Sequence, residues 1–298
     1  MPGRGGWPMT VLMTFDRLPV FAGTYLPPRD GTRGTRRGFL SLLRDYSRMY
    51  QNDPQTLVRN GQDVALRVVE KALPVGSQTI PGTDAIAAGV AALRERFDPR
   101  RGGFGREPKF PRSSNLELLT RYYRRTGDKA SRTMFETTLD KMAAGGIYDH
   151  LGGGFHRYAV DSAWLVPHFE KMLYDNAQLA VAYLEGFQIT GKGDYARVVR
   201  EILDYVIREM TNERGGFYSA TDADSPAPSG HDEEGLFFTW TPDELRAVLG
   251  RGDVALLVQK FYGVTPRGNF EGRSILHVTE SLDTIARALD MPLAKAQE

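Results

Sequence analysis

Three of the five histidines in this 298-residue sequence stand close together: His150 and His156 in one glycine-rich loop, and His168 just after it. Asp149, Arg157, Glu170 and Asp175 surround them, in the stretch "DHLGGGFHRYAVDSAWLVPHFEKMLYDN". Histidine gives or takes a proton near neutral pH, and a nearby carboxylate orients and tunes it. Exchange of a proton beside a sugar carbonyl needs two such groups, one on each face. Cleavage of a glycosidic bond needs two carboxylates roughly 5–9.5 Å apart. The stretch offers either set. The expected roles are His156 and His168 as acid and base, Arg157 holding an anionic or carbonyl oxygen, and Asp149, Glu170 and Asp175 assisting. His150, Trp164, Lys171 and Tyr174 are candidates for contacting the ligand.

Two further loops carry polar residues. "SATDADS" holds Asp222 and Asp224, which could assist catalysis and ligand binding respectively, or simply close an Asx-type turn. "GREPKF" holds Glu107 and Lys109 beside Pro108 and Pro111; Lys109 is a ligand-contact candidate, and rigid packing is the plainer reading. No metal site is expected. His150 and His156 lack a standard ligand spacing, HExxH is absent, and the chain has no cysteine. The glycine runs lack the context of a dinucleotide site or P-loop, so no cofactor is expected either.

The elements that must position these groups are mainly helical. "MTVLMTF" and "PVFAGTY" read as a β-hairpin. Helical periodicity then runs from Arg36 to Tyr50, and through "PQTLVRNGQDVALRVVEKAL", which Gly61 weakens. "SQTIPGTD" reads as a linker. Helices follow near 84–97, 113–126, 129–145, 167–190 and 194–211. A later one starts at the Thr-Pro-Asp-Glu of 241–244, with Thr241 as cap, Pro242 at the first position and Glu244 three after the cap. Others lie near 252–261 and 280–289, with "GLFFTW" a candidate strand. With Pro167 at its first position, the 167–190 helix would group Phe169, Met172, Leu173, Asn176, Ala180, Tyr183, Leu184 and Phe187 on one face. His168, Lys171, Asp175 and Gln178 would share the other, which is also the pattern of a helix with an ordinary solvated face.

Gly-Gly-Phe occurs three times, at Phe104, Phe155 and Phe217, with spacings of 51 and 62 residues and helix pairs between. Such a period marks an array of helical hairpins, which can close radially into an (α/α) toroid. The funnel mouth of a toroid gathers polar residues from several loops.

Lys and Arg total 38 against 37 Asp and Glu, a net charge of +1 that gives no electrostatic reason to expect nucleic acid. The arginines at 29, 33, 36 and 37 are interleaved with Gly and Thr and read as a solvated linker. No apolar run approaches a membrane span, the N-terminus is not a convincing secretory signal, and a cytoplasmic location is expected.

The blocks "GGWPMTVLMTFDRLPVFAGTYLPP", "GGFGREPKFPRSSNL", "GGIYDHLGGGFHRYAVDSAWLVPHFEKMLYDNAQL" and "GGFYSATDADS…EEGLFFTW" together resemble the family of thioredoxin-domain-containing proteins that includes the spermatogenesis-associated thioredoxin-like proteins. The resemblance runs from Gly5 to about Trp240. It implies a thioredoxin-like domain followed by a six-hairpin toroid of the kind seen in sugar epimerases and glycosidases. Trp7-Pro8 then corresponds to the turn with a cis proline. The implied fold is mainly α, with residues 1–76 the C-terminal remnant of the thioredoxin-like domain plus linker helices. Residues 77–298 are the first hairpins of a toroid incomplete at the C-terminus, so the chain reads as truncated. Glu107 stands where the family pattern has a small residue. The implied partners are a small-molecule carbohydrate and a protein met through the thioredoxin-like part; a non-catalytic binding or scaffold role is the alternative.

Overall fold

The computed structural model describes residues 6, 8–73, 76, 80, 82–228 and 230–297; the peptide between Trp7 and Pro8 and half of the 77–84 linker lie outside them. The chain divides into two compact units, Met1–Ile80 and Pro81–Glu298.

In the first unit, β1 (Thr10–Met13) and β2 (Pro19–Gly23) form an antiparallel hairpin, followed by α1 (Phe39–Asn52) and α2 (Pro54–Ala72). Asp53 ends α1 and caps α2, accepting from the Thr56 amide at 3.0 Å, with Pro54 at the first helical position. Tyr46 of α1 packs edge-on against Phe21 and donates to the Val20 carbonyl at 3.2 Å. Gly61, which weakens α2 as an isolated helix, is buried where α2 crosses the hairpin. A Cβ there would sit 2.9 Å from the Leu18 side chain, so close approach explains the glycine.

The second unit alternates helices and loops. Its first part runs α3 (Thr83–Arg96), α4 (Ser113–Thr126), α5 (Lys129–Ala144), α6 (Leu173–Thr190) and α7 (Gly193–Glu209). The turns α4–α5 and α6–α7 are built alike. Gly127 and Gly191 take left-handed conformations at φ 72° and 71°. The preceding Thr126 and Thr190 hydroxyls donate back to the Tyr122 and Gly186 carbonyls and accept from the next-but-one amide at 3.2 Å. The other ends of α3, α5 and α7 run into the three Gly-Gly-Phe loops. The core between these helices holds Leu116, Leu119, Phe135, Leu139, Phe155, Tyr183, Tyr195 and Ile202, all essentially inaccessible.

The second part runs α8 (Pro242–Leu249), α9 (Asp253–Phe261), α10 (Leu282–Ala288) and α11 (Leu293–Gln297). The start of α8 at Thr241 is a full capping box with Glu244, as its Thr-Pro-Asp-Glu sequence predicts. Short strands pair antiparallel: β3 (Tyr158–Ala159) with β4 (Pro167–His168), β5 (Lys171–Met172) with β6 (Ala220–Thr221), β7 (Asp224–Pro226) with β8 (Asp232–Glu234), and β9 (Thr239–Trp240) with β10 (Ser274–Ile275). The architecture is mainly α, an array of (α/α) hairpins.

Two expectations are corrected. "GLFFTW" is a 3-10 turn over Leu236–Phe238, entered through left-handed Gly235, and only its last two residues are strand. The expected 167–190 helix begins at Leu173. Residues 167–172 are extended because their backbone groups bond outward: Arg157 N donates to the Glu170 carbonyl at 2.8 Å and Leu173 N to the Ser219 carbonyl at 3.0 Å. Helical facing therefore does not apply to His168, Phe169, Lys171 and Met172. Lys171, expected on a polar face, is buried.

Candidate functional site

The site grows from a loop that occurs twice. In the first copy, Phe97 and Phe104 bridge across a turn. Asp98 N donates to the Gly103 carbonyl at 3.0 Å, and Gly102 N to the Asp98 carbonyl at 2.8 Å. The Asp98 carboxylate accepts from the Arg100 and Arg101 amides, each at 3.0 Å. Buried Lys109 closes the turn, its Nζ donating to Asp98 Oδ2 at 2.9 Å and the Gly102 carbonyl at 2.7 Å. The second copy repeats every bond. Tyr148 bridges Phe155, Asp149 N meets the Gly154 carbonyl at 3.0 Å, and Gly153 N meets the Asp149 carbonyl at 3.0 Å. Asp149 Oδ1 accepts from the Leu151 and Gly152 amides at 3.0 and 2.8 Å. Lys171 Nζ donates to Asp149 Oδ2 at 2.6 Å and the Gly153 carbonyl at 2.8 Å.

An aromatic ring covers each copy. A Cβ on Gly103 (φ 80°) would come within 2.6 Å of Trp164, and one on Gly154 (φ 78°) within 2.6 Å of Tyr205. Both the left-handed backbone and the ring above it require glycine. The third loop keeps the turn, with Asn212 in place of the aspartate, but has no lysine clasp among these bonds, and Phe217 is 60% exposed.

The second copy opens onto a cleft of about 710 Å³. Asp149, His150, His156, Lys171 and Asp222 line it, with Tyr205, Arg208, Glu209, Phe237, Phe238 and Trp240. Burial alone would raise the Asp149 carboxyl, but Lys171 and the Gly152 amide outweigh it and hold the group below its ordinary value. Burial pulls the Lys171 ammonium down, with Asp149 opposing; its Nζ also lies 4.3 Å from the Tyr205 ring centre and 5.0 Å from that of Phe238.

His156 is 2% exposed and wedged edge-on against Phe238 and Phe169, at 4.7 and 5.3 Å between ring centres. Its Nδ1 lies 2.9 Å from the Phe169 carbonyl. A carbonyl only accepts, so Nδ1 is assigned the hydrogen and Nε2 keeps its lone pair. Burial, then the Lys171 charge, pushes the imidazole down to about 3, so it is neutral at physiological pH. By the same logic His150 donates from Nε2 to the Gly145 carbonyl at 2.9 Å, and burial brings it down to about 4.

The remaining candidates lie elsewhere. His168, in β4, has Nε2 3.1 Å from Glu170 and Nδ1 2.7 Å from Glu234, so both ring nitrogens are engaged away from the cleft. Pairing of β3 with β4 sets it against Tyr158 instead of opposite His156. Arg157 Nη1 meets Glu170 at 2.7 Å. Asp175 is half-buried with Oδ2 unpartnered among the described residues, and burial raises it to about 6 with Arg157 opposing; it does not line the cleft. Trp164 is fully buried, its Nε1 donating to the Arg101 carbonyl at 2.8 Å, so it covers the first loop and meets no ligand. Lys109 is the first loop's clasp, Tyr174 is exposed off the cleft, and Asp224 is exposed in β7, its amide donating to Asp222 Oδ1 at 3.2 Å in the Asx-type turn. Tyr205, Phe237, Phe238 and Trp240 were not foreseen in the cleft; the paired Phe of "GLFFTW" was the available signal, masked by its strand-like composition. Among the described residues, no group of three or more His, Asp or Glu side chains is placed to hold a metal ion, and no helix is long and apolar enough to cross a membrane.

Residues 1–69 match the Thioredox_DsbH family, described as a protein of unknown function, DUF255. Over 95% of its length the chain is 40% identical to human spermatogenesis-associated protein 20 and 39% identical to the mouse protein of that name. The chain is thus similar to spermatogenesis-associated protein 20 along nearly all of its own length. It spans 39% of the length of each of these relatives. Among solved structures, a sugar epimerase from a ruminal bacterium is similar over 70% of this chain and 52% of its own, at 14% identity and a TM-score of 0.43. A cellobiose 2-epimerase from Spirochaeta thermophila is similar over 52% and 45%, at 19% identity and a TM-score of 0.41.

Proposed function

We propose that the cleft binds a carbohydrate and that His156 accepts a proton from it in an epimerase- or isomerase-type step. The observation that carries this reading is the state of His156: a neutral imidazole with its tautomer fixed by the Phe169 carbonyl, in the wall of an aromatic cleft. Aromatic faces suit the apolar faces of sugar rings, and the polar lining suits their hydroxyls. In the step, Nε2 takes the proton from the carbon beside the carbonyl. The C–H electron pair moves into the C–C bond and the carbonyl π pair to the oxygen, where Lys171 and Arg208 supply positive charge. Reprotonation of the same carbon on its opposite face by water in the open cleft gives the epimer, His156 losing its proton to solvent. Alternatively the adjoining hydroxyl proton passes to the enolate oxygen and His156 returns its proton to the former carbonyl carbon, which gives the isomer. Glycoside cleavage is less well supported, since Asp149 is held ionised by Lys171 and two amides and cannot serve as the protonated acid.

A second reading, a non-catalytic carbohydrate-binding protein, draws support from the first loop. There the same lysine clasp occurs without an adjoining histidine, so Lys171 and Asp149 are explained by architecture alone.

Both readings meet the same experiment. A panel of free sugars is screened for binding by calorimetry, and ligands are then incubated with the chain in D2O and followed by NMR. The expected result is deuterium entering the carbon beside the carbonyl, with His156→Gln slowing it about 10²–10⁴-fold and His168→Gln leaving it within a few-fold. Binding without exchange selects the second reading. Absence of binding to every sugar overturns both.

A further inference from the structure

The charges around the cleft are unevenly matched. Its lining carries Asp149, Glu209 and Asp222 against Lys171 and Arg208. Asp149 is spent on Lys171 at 2.6 Å, and Glu209 is met by Arg208 at 2.8 Å. The Asp222 carboxylate is left over; among the described residues it accepts from the Asp224 amide at 3.2 Å, which leaves the charge uncancelled. Asp222 is also exposed, so a ligand reaches it.

Asp222 begins an acidic stretch. From Asp222 to Glu234 the sequence has Asp222, Asp224, Asp232, Glu233 and Glu234, no lysine or arginine, and His231 as its one basic side chain. The pairing of β7 with β8 folds this stretch into a hairpin, with Asp224 opposite Glu234 and Ser225 opposite Glu233, and Ser225 lines the cleft. The acidic hairpin therefore stands at the cleft wall. A cleft with low-dielectric walls focuses such a field and concentrates ligands of opposite sign. Inside, Tyr205, Phe237, Phe238 and Trp240 present aromatic rings, Phe237 at 75% exposure. Rings beside an unmatched carboxylate form a site for an organic cation.

We propose that the cleft selects a carbohydrate bearing a protonated amine, an amino sugar, over its neutral and anionic counterparts. This rests on the carbohydrate reading above and narrows its substrate class. Asp222 holds the ammonium, the aromatic rings hold the sugar body, and the β7–β8 acids draw in the cation and repel uronates and sugar phosphates.

The test is titration calorimetry at low ionic strength with glucosamine, glucose, N-acetylglucosamine, glucuronate and cyclohexylamine. Glucosamine is expected to bind about tenfold more tightly than glucose or N-acetylglucosamine, with glucuronate weakest. The advantage shrinks as salt is raised, and Asp222→Asn, at an exposed position, removes most of it while leaving circular dichroism unchanged. Glucose or glucuronate binding as tightly as glucosamine overturns the selectivity, as does an advantage indifferent to salt and to Asp222→Asn. Cyclohexylamine binding with no sugar binding overturns the carbohydrate reading and upholds the cation preference. Sugars binding without regard to charge do the reverse.

Discussion

The loops ending at Phe104 and Phe155 share a bonding scheme and differ in what stands beside it. Each lysine is buried to 1% side-chain exposure and clasps an aspartate and a glycine carbonyl. Seven residues past the aspartate, the first loop has Gly105 and the second has His156. The first clasp is covered by Trp164; the second lies under Tyr205 in a cleft wall. The shared part is what a left-handed Gly-Gly turn needs to be held rigid, because a turn with inward-facing carbonyls must find buried donors for them. Only the unshared part, His156 and the aromatic wall, is specific to the cleft. A search for buried charged pairs would have ranked the two loops equal; the comparison places the chemistry on the histidine and makes the lysine its support.

The clasps provide the largest test. The Asp149 side chain is 12% exposed and that of Asp98 27%. Removing one partner of a buried pair strands the other, so Asp149→Ala is expected to cost about 3–5 kcal/mol in urea unfolding. Asp98→Ala should cost about half of that, since water reaches the more open site. Equal losses would show that the second clasp is no more enclosed than the first. Next come the glycines under the rings. Gly103→Ala and Gly154→Ala each combine a left-handed backbone with a 2.6 Å approach to an aromatic ring, and each should lose about 1–3 kcal/mol. A loss of only about 1 kcal/mol at either, the backbone cost alone, would mean that its ring does not press on the turn.

Much of this pairing was legible in the sequence. The Gly-Gly-Phe spacing placed the loops between helix pairs, and the Thr-Pro-Asp-Glu cap placed α8. A second register was present and passed over: Thr126-Gly127 and Thr190-Gly191 mark the opposite ends of the hairpins, with the same back-bonded threonine. The clasp was not legible, because Lys109 follows Asp98 by 11 residues and Lys171 follows Asp149 by 22, so no fixed spacing announces it. The site was half legible. Of the candidate residues, Asp149, His150, His156, Lys171 and Asp222 line the cleft and His168, Glu170 and Asp175 do not; the expected polar face of His168, Lys171, Asp175 and Gln178 rests on a helix that starts six residues later than the spacing predicts. The apolar spacing of Phe169, Met172 and Leu173 fits a helix; long-range pairing of 167–172 with the 158–159 and 220–221 strands overrides it.

The histidines give the comparison a pH axis. Burial depresses His156 to about 3 and His150 to about 4, against an ordinary 6.5. As pH falls below about 6.5 the unfolded chain protonates these rings while the folded chain keeps them neutral. The unfolded state then binds more protons, so stability is fully present above 6.5 and declines as pH falls toward the folded values. Each ring contributes up to about 1.4 kcal/mol per pH unit. His156→Gln should flatten the slope between about pH 5 and 6.5 by that amount, and Asp98→Ala, in the loop without a histidine, should leave it unchanged; equal slopes in all three proteins would place His156 in water. The smallest effect belongs to the third loop. Gly216 shares the left-handed backbone at φ 82°, but nothing lies within 4 Å of where its Cβ would go. Gly216→Ala therefore bears only the conformational cost, about 1 kcal/mol. A loss matching that of Gly154→Ala would show that the third loop is pressed by a covering group as the other two are, and that the turn alone, without lysine or ring, does not account for its shape.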